Sequence, residues 1–191
     1  MSIYQEQSAS QLSNARRWGW SLTLALGLSF GATPGLAQST LSPSVTTGTS
    51  SITLAAQSSS IAQMEAQVWQ QINQRRQLHG LPPLKLNRQL SLVARSHSQQ
   101  MADYNFYSHI DPQGRNHRRR VEASGLRAYV IGENLMKCIR SRDPVGLSVQ
   151  SWMDSPAHRK NILLSGMQET GVGIWRKGKT YYVTQIYMEP K

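Results

Sequence analysis

The sequence predicts an α+β domain, and three observations lead to that class. Apolar residues recur at steps of three and four between residues 61 and 101, which is the period of amphipathic helices. Residues 172–174 and 181–187 instead alternate around the turn 176–179, which is typical of a β-hairpin with a glycine turn. No strand–helix–strand alternation separates the two regions. We therefore expect helices that cover an antiparallel sheet.

Residues 1–37 have the composition of an export signal. Arg16 and Arg17 precede an apolar stretch, 18–32, that is shorter than the roughly 20 residues a spanning helix needs, and Ala37 lies where a signal peptidase prefers small residues. We expect a periplasmic or extracellular product without a transmembrane segment after processing. A retained anchor, and export by the twin-arginine route, are the alternatives.

Residues 38–60 consist mostly of Ser, Thr, Gln and Ala with almost no charge. Such a segment buries too little apolar surface to offset the entropy of ordering it, so we predict a disordered linker. Residues 61–191 remain, which is enough for one domain with a hydrophobic core.

Four helices are predicted within this domain. The first ends near Gly80, and Asn87 caps a second helix whose inward face includes His97. A short helix is expected over 118–124, and Asp143 with its following proline begins another helix over 145–153. For His97, a hydrogen-bonded core histidine is preferred over a ligand. The apolar positions of the first two helices are Ile61, Met64, Val68, Ile72, Leu90, Val93, Ala94 and Met101.

The charge of the chain favours an anionic partner. It carries 21 Lys+Arg against 10 Asp+Glu, a formal net charge of +11. The basic run NHRRR (116–120) is expected either to meet polyanions of the cell envelope or to form a solvated helix face. Nucleic acid is disfavoured because the run has no interleaved aromatic residues. Cys138 is the only cysteine, which excludes an intrachain disulfide, and we interpret it as a small buried residue.

Four stretches carry polar residues suited to chemistry: FYSHIDPQGR (106–115), GEN (132–134), SPAHR (155–159) and YYVTQIY (181–187). The imidazoles of His109 and His158 can bind a divalent metal such as zinc, with Glu133 as third ligand or as general base to a bound water. The alternative is structural, with His158 capping its turn and Glu133 accepting backbone N–H groups. Serine-hydrolase and phosphate-loop signatures are absent from the sequence, so no catalytic residue is assigned.

The order of these stretches resembles the CAP superfamily and, most of all, its bacterial branch. This is the secreted domain shared by cysteine-rich secretory proteins, insect venom antigens and plant pathogenesis-related proteins. The resemblance covers residues 64–188 and rests on ARSHSQQMADYNFYSH, IGEN, the W-x-x-S-P-x-H-R-x-N-I-L pattern of 152–163, and G-V-G followed by YYVTQIY.

The resemblance implies a three-layer α-β-α sandwich with a central antiparallel sheet and a polar cleft. In eukaryotic members, two histidines and two acidic residues line this cleft and can hold a divalent metal. By position, His109 resembles the first histidine and Glu133 the first glutamate. The chain departs from the pattern at the second glutamate, where it has Asp154 and Ser155, and at the second histidine, where it has Tyr182.

His158 is therefore predicted to replace the missing imidazole and to share the cleft with His109 and Glu133. The resemblance favours a secreted binding or structural module that recognises a ligand, for example a small or lipid molecule, without turning it over. The alternative is a metal-dependent hydrolase of peptide or cell-wall bonds, in which Glu133 acts as the base.

Overall fold

The computed structural model of the protein describes residues 48–191, with side chains from Ser60 onward. The predicted signal peptide and residues 38–47 of the predicted linker lie outside the described residues. In chain order the elements are α1 (Gly48–Leu78), β1 (Lys85–Leu86), α2 (Arg88–Asp103), α3 (His117–Ala123), β2 (Ala128–Ile139), α4 (Pro144–Asp154), α5 (Pro156–Leu163), β3 (Glu169–Lys177) and β4 (Thr180–Pro190).

The first helix begins earlier than the sequence predicts. Residues 48–60 were expected to belong to a disordered linker, whereas α1 already runs from Gly48. Adding a residue to an existing helix is far easier than nucleating a helix, so the packed part of α1 supports its extension toward the N-terminus. In the part of the chain that the structure describes, no helix has both the length and the apolar character needed to cross a bilayer.

The central sheet has four strands in the order β1-β3-β4-β2. β3, β4 and β2 are antiparallel neighbours, and the two-residue strand β1 adds a parallel pair at the other edge. The predicted hairpin is thus β3–β4. β2 was not predicted as a strand, and it forms the far edge of the sheet beside β4.

Helices cover both faces of this sheet, which confirms the predicted α-β-α sandwich. Successive residues of a strand point to opposite faces, and the two main apolar clusters follow that alternation. One cluster joins α1, α4 and α5 to Val172, Ile174, Val183 and Tyr187. The other joins α2 and α3 to Ile131, Ile186 and Met188.

The contact between α2 and the sheet requires glycine on β3. A Cβ atom built on Gly171 would lie 2.3 Å from the backbone carbon of Leu90, and one built on Gly173 would lie 2.0 Å from the backbone nitrogen of Arg95. Both distances are shorter than atoms tolerate, and the obstacle is helix backbone that cannot move aside. The G-V-G motif therefore allows α2 to pack directly on β3.

Trp152 shows which face of α4 is buried against the sheet. Its side chain is 1% exposed and its indole nitrogen donates to the backbone oxygen of Leu135 at 2.8 Å. We expect Trp152→Ala to lower the free energy of unfolding by about 3 to 5 kcal/mol, since it deletes a large buried aromatic group. Urea unfolding measures this. Leu147→Ala on the same helix is the control, because Leu147 is 44% exposed and should change stability by less than about 1 kcal/mol. Equal losses of unfolding free energy in the two variants would contradict the conclusion that α4 buries its Trp152 face.

Candidate functional site

A buried carboxylate on the edge strand is the centre of the candidate site. Glu133 lies in β2 and is 4% exposed. Its Oε1 is 2.8 Å from Nδ1 of His109, and its Oε2 accepts a hydrogen bond from Nη2 of Arg120 at 2.5 Å. Both oxygens of this carboxylate are therefore engaged by groups from outside the strand.

Arg120 connects the carboxylate to the loop that carries His109. It lies on α3, is 6% exposed, and its Nη1 donates to the backbone oxygens of His109 and Arg115, each at 2.9 Å. The Asn116 side chain begins α3 by accepting from the backbone nitrogen of Arg119. One guanidinium thus fixes both the backbone of His109 and the charge of Glu133.

Asp111 gives this loop a rigid turn. Its Oδ1 accepts from the backbone nitrogens of Gln113 and Arg115, and its Oδ2 accepts from Nε of Arg115 at 2.8 Å. Burial acts to raise the pKa of Asp111, but these hydrogen bonds and the charge of Arg115 outweigh it and hold the pKa below its ordinary value. The loop is therefore held on two carboxylates that remain ionised at neutral pH.

The environment of Glu133 also keeps it ionised. Burial raises its pKa, but the hydrogen bond to His109 and the positive charge of Arg120 act more strongly together, so the pKa lies below its ordinary value. A carboxylate with a lowered pKa is a weak base. It is better suited to orienting His109 than to accepting a proton from a substrate or a water.

His117 is a member of the site that the sequence analysis missed. His109, His117 and Glu133 can each offer one ligand atom such that all three atoms lie within 4.8 Å of one another. The Nδ1 atom of His117 is buried without a hydrogen-bond partner of ordinary geometry. Burial is the main cause of the lowered pKa of His117, and a weak contact with the backbone of Ile131 acts in the opposite direction. In the sequence, His117 lies in the basic run 116–120, which was interpreted through its arginines. The one sequence feature that links His117 to the site is its spacing of three residues from Arg120, which places both on the same side of a helix.

His158 lies on α5 beside the same strand. Its backbone oxygen accepts from Nδ2 of Asn134 at 3.2 Å, which places it next to the residue that follows Glu133. Burial, and then the charge of His109, lower the pKa of the His158 imidazole. Within residues 60–191 the structure describes no hydrogen bond from the His158 side chain to His109 or Glu133, so the position of α5 beside β2 is what links His158 to the site.

The other three predicted cleft residues have contacts of a different kind. Asp154 is exposed and accepts from Gln150 at 2.8 Å, while Ser155 is half-buried where α4 passes into α5. Tyr182 is buried with Met101 and Leu135 in an apolar cluster. None of the described contacts joins these residues to His109 or Glu133.

His97 is the core histidine that the sequence predicts. It is fully buried on α2, and its Nε2 is 2.9 Å from the backbone oxygen of Ser108. Burial, followed by the charge of Arg120, lowers the pKa of His97 from 6.5 to about 4 despite the opposing charges of Glu133 and Asp111. The neutral imidazole supports the start of the loop that carries His109.

Two further predictions concern Cys138 and the basic run. Cys138 is buried beside Ser148 and Pro144, as a small core residue would be. In the run 116–120, Arg120 is committed to Glu133, and Arg118 pairs with Glu122 and with backbone oxygens. Only Arg119 is both exposed and without a described side-chain contact, so this run is a poor surface for a polyanion.

Comparison with known proteins assigns the family. The model of the cysteine-rich secretory protein family, CAP, matches residues 69–187, which is more than half of the chain. The chain belongs to the CAP family. A relative of this CAP protein in Bacillus subtilis, the uncharacterized protein YkwD, is 33% identical over 144 residues, which are 75% of this chain and 55% of YkwD.

Two solved structures share the fold. An extracellular protein containing an SCP domain from Bacillus anthracis is 29% identical, with a TM-score of 0.59 over 66% of this chain and 40% of that one. A cysteine-rich secretory protein from Staphylococcus aureus, 24% identical, shares the fold with a TM-score of 0.55 over 67% of this chain and 38% of that one. This CAP chain therefore spans about half of YkwD, and less of the two solved proteins.

The Arg120–Glu133 pair should be the main electrostatic support of this CAP domain. Arg120→Met leaves the buried carboxylate without its guanidinium, so we expect a loss of about 3 to 5 kcal/mol in the free energy of unfolding at neutral pH, measured with urea. The control is Arg119→Met, an exposed neighbour on the same helix that should cost less than about 0.5 kcal/mol.

A double variant keeps this test informative if Arg120→Met alone does not fold. Arg120→Met with Glu133→Gln removes both charges, so it should be more stable than Arg120→Met because no uncompensated carboxylate remains. A double variant no more stable than the single one would show that the lost packing of Arg120, rather than the buried charge, destabilises the domain.

His97 should make stability depend on pH. Because its pKa is lowered to about 4 in the folded protein, its contribution is fully present above the unfolded value of about 6.5 and is lost as pH falls toward 4. Between pH 7 and pH 5 the loss from this group should be about 2 kcal/mol. Urea unfolding at both pH values should show a smaller difference in His97→Gln than in the wild type.

The control for this experiment is Phe106→Leu, which changes the ring 5.9 Å from the His97 ring but keeps the titrating group. It should lower stability at both pH values and retain the pH difference. If His97→Gln retained the full difference, the acid sensitivity would have another source.

Proposed function

We propose that the protein is an exported CAP-domain binding module whose cleft holds a labile divalent metal, such as zinc, as part of its recognition surface. His109, His117 and His158 would supply imidazoles, and Glu133 would hold His109 in place. The observation that carries the proposal is the engagement of both Glu133 oxygens, one by His109 and the other by Arg120.

This engagement selects one form of His109. A neutral imidazole that donates Nδ1–H to Glu133 keeps its Nε2 lone pair available, and a carboxylate behind a metal-binding histidine commonly fixes the ring in this way. The residues also fit a metal in a second respect, since the buried Nδ1 of His117 has no hydrogen-bond partner of ordinary geometry. A bound metal would supply positive charge and open coordination positions for an anionic or carbonyl group of a ligand.

The same observation favours binding over hydrolysis. The hydrolase alternative needs Glu133 as general base, but the pKa of Glu133 is below its ordinary value because His109 and Arg120 bind its two oxygens. A base of this strength removes a proton from water inefficiently near neutral pH. Export is supported by the similarity to an extracellular Bacillus anthracis protein and by the composition of residues 1–37.

Zinc titration tests this function. Calorimetry at neutral pH should show binding by the wild type, a reduction of at least about tenfold in Glu133→Gln, whose carboxylate orients His109, and loss of binding in the His109→Ala, His158→Ala double variant. The control is His79→Ala, which removes an exposed histidine at the end of α1 and should bind as the wild type does.

His117→Ala then separates the two sets of imidazoles. Weaker zinc binding in this variant would support its place beside His109, and unchanged binding would restrict the site to His109 and His158. Equal binding by the wild type and the His109→Ala, His158→Ala variant would overturn the metal proposal. Because the site is open and not structural, the domain should remain folded when a chelator removes the metal, and its thermal midpoint should fall only by the small amount expected for a weakly bound ion.

A further inference from the structure

Six cations that the cleft does not use lie at one end of the central sheet. We call this surface the basic sheet end, and it comprises Lys137, Arg140, Arg142, Arg176, Lys177 and Lys179. Five of the six residues are exposed, and Lys137 is half-buried. They come from separate parts of the sequence, 137–142 and 176–179, so only the fold brings them together.

Strand register shows how close these cations are. The last residues of the ladder place Ile139 opposite Thr180, and Thr180 opposite Lys177. Just beyond them, the backbone nitrogen of Arg140 donates to the backbone oxygen of Lys179 at 2.8 Å. Because neighbouring strands are about 4.8 Å apart, the end of β2 and the β3–β4 turn form one continuous basic surface.

These charges are not neutralised within the protein. Among residues 60–191, no ion pair includes any of the six cations; the five ion pairs of that region involve other residues. Lys177 donates to the backbone oxygen of Ala102 and Arg176 to that of Gly178, and both acceptors are uncharged. Asp143, next to Arg142, uses its carboxylate to cap α4.

Two of the cations are held over aromatic rings. The ammonium of Lys137 lies 5.3 Å from the ring centre of Tyr182, and the guanidinium of Arg176 lies 5.4 Å from that of Tyr181. Tyr181 and Tyr182 point to opposite faces of the sheet, because successive strand residues alternate. The cations are thus ordered on both faces of the sheet end, which lowers the entropy lost when they bind a ligand.

We propose that the basic sheet end binds a linear polyanion that carries repeated phosphate groups. Clustered cations repel each other. A polymer with several anionic groups relieves that repulsion at several positions at once. Binding would release counterions from the polymer, so affinity should depend steeply on salt. This surface is separate from the His109–Glu133 cleft, and the proposal does not depend on metal binding there.

A flexible polymer fits this surface better than a bilayer does. A chain can follow cations on both faces of the sheet end, whereas a bilayer presents one plane. Surfaces that insert into a bilayer also bury a broad apolar face. The basic sheet end offers mainly Ile139, which is 65% exposed.

The test compares two triple variants of the full chain that remove equal charge. The test variant carries Arg142→Gln, Arg176→Gln and Lys179→Gln. The control carries Lys85→Gln, Arg119→Gln and Arg127→Gln, which are exposed positions elsewhere and include the exposed arginine of the run 116–120. Binding of long-chain inorganic polyphosphate is measured between about 50 and about 200 mM salt. Binding of phosphatidylglycerol vesicles is measured at the same total phosphate concentration.

The wild type and the control should bind polyphosphate with similar affinity. The test variant should bind at least about tenfold more weakly, and its slope of log affinity against log salt should be shallower by about 2, since three phosphate contacts are lost. Unchanged thermal midpoints would show that all three proteins remain folded. Equal weakening in both variants would overturn the proposal in favour of overall charge. Failure to bind polyphosphate would overturn it as well, and if vesicles were then bound, a bilayer would be the partner.

Discussion

The buried carboxylate of Glu133 is the constraint on which the cleft depends. An ionised group in the interior of a protein is costly unless it is paired and hydrogen-bonded. β2 provides neither partner: its backbone groups serve the ladder to β4 on one side only, and the backbone oxygens of Glu133 and Leu135 accept from Asn161 and Trp152. The partners come instead from α3, through Arg120, and from the preceding loop, through His109. Together with the Asp111 turn and the contact between His97 and Ser108, the need to satisfy this side chain sets the position of that loop and the orientation of the His109 ring.

Asn134, which follows Glu133, also binds groups from outside the strand, and it does so on the opposite face of the sheet. Nδ2 of Asn134 donates to the backbone oxygen of His158 and to the hydroxyl of Tyr187, while its Oδ1 accepts from Asn161. Consecutive strand residues point to opposite faces, so the GEN motif attaches α3 on one side and α5 on the other to a single point of the edge strand. This is how His109 and His158, 49 positions apart in the sequence, come to neighbour the same strand.

Much of the architecture was predictable because it depends on local patterns. The helical period, the Asn87 and Asp143 caps and the glycine turn of the hairpin all involve residues within a few positions of one another, and each has its expected place. β2 was not predicted, since buried Glu133 and Asn134 interrupt the apolar pattern by which a strand is recognised. In the same way, His117 was concealed among arginines, although one of those arginines, Arg120, is a buried partner of the site.

The sequence by itself determined the fold class and the CAP resemblance, and it predicted that His109 and Glu133 lie together, because the first depends on periodicity and the others on ordered motifs. The tertiary structure decided the partners of these groups. It paired Glu133 with Arg120, placed His117 beside His109, buried Tyr182 in an apolar cluster and gathered unpaired cations at the end of the sheet. Pairing of charges is a property of distances between side chains, and those distances are set by how the helices pack on the two faces of the sheet.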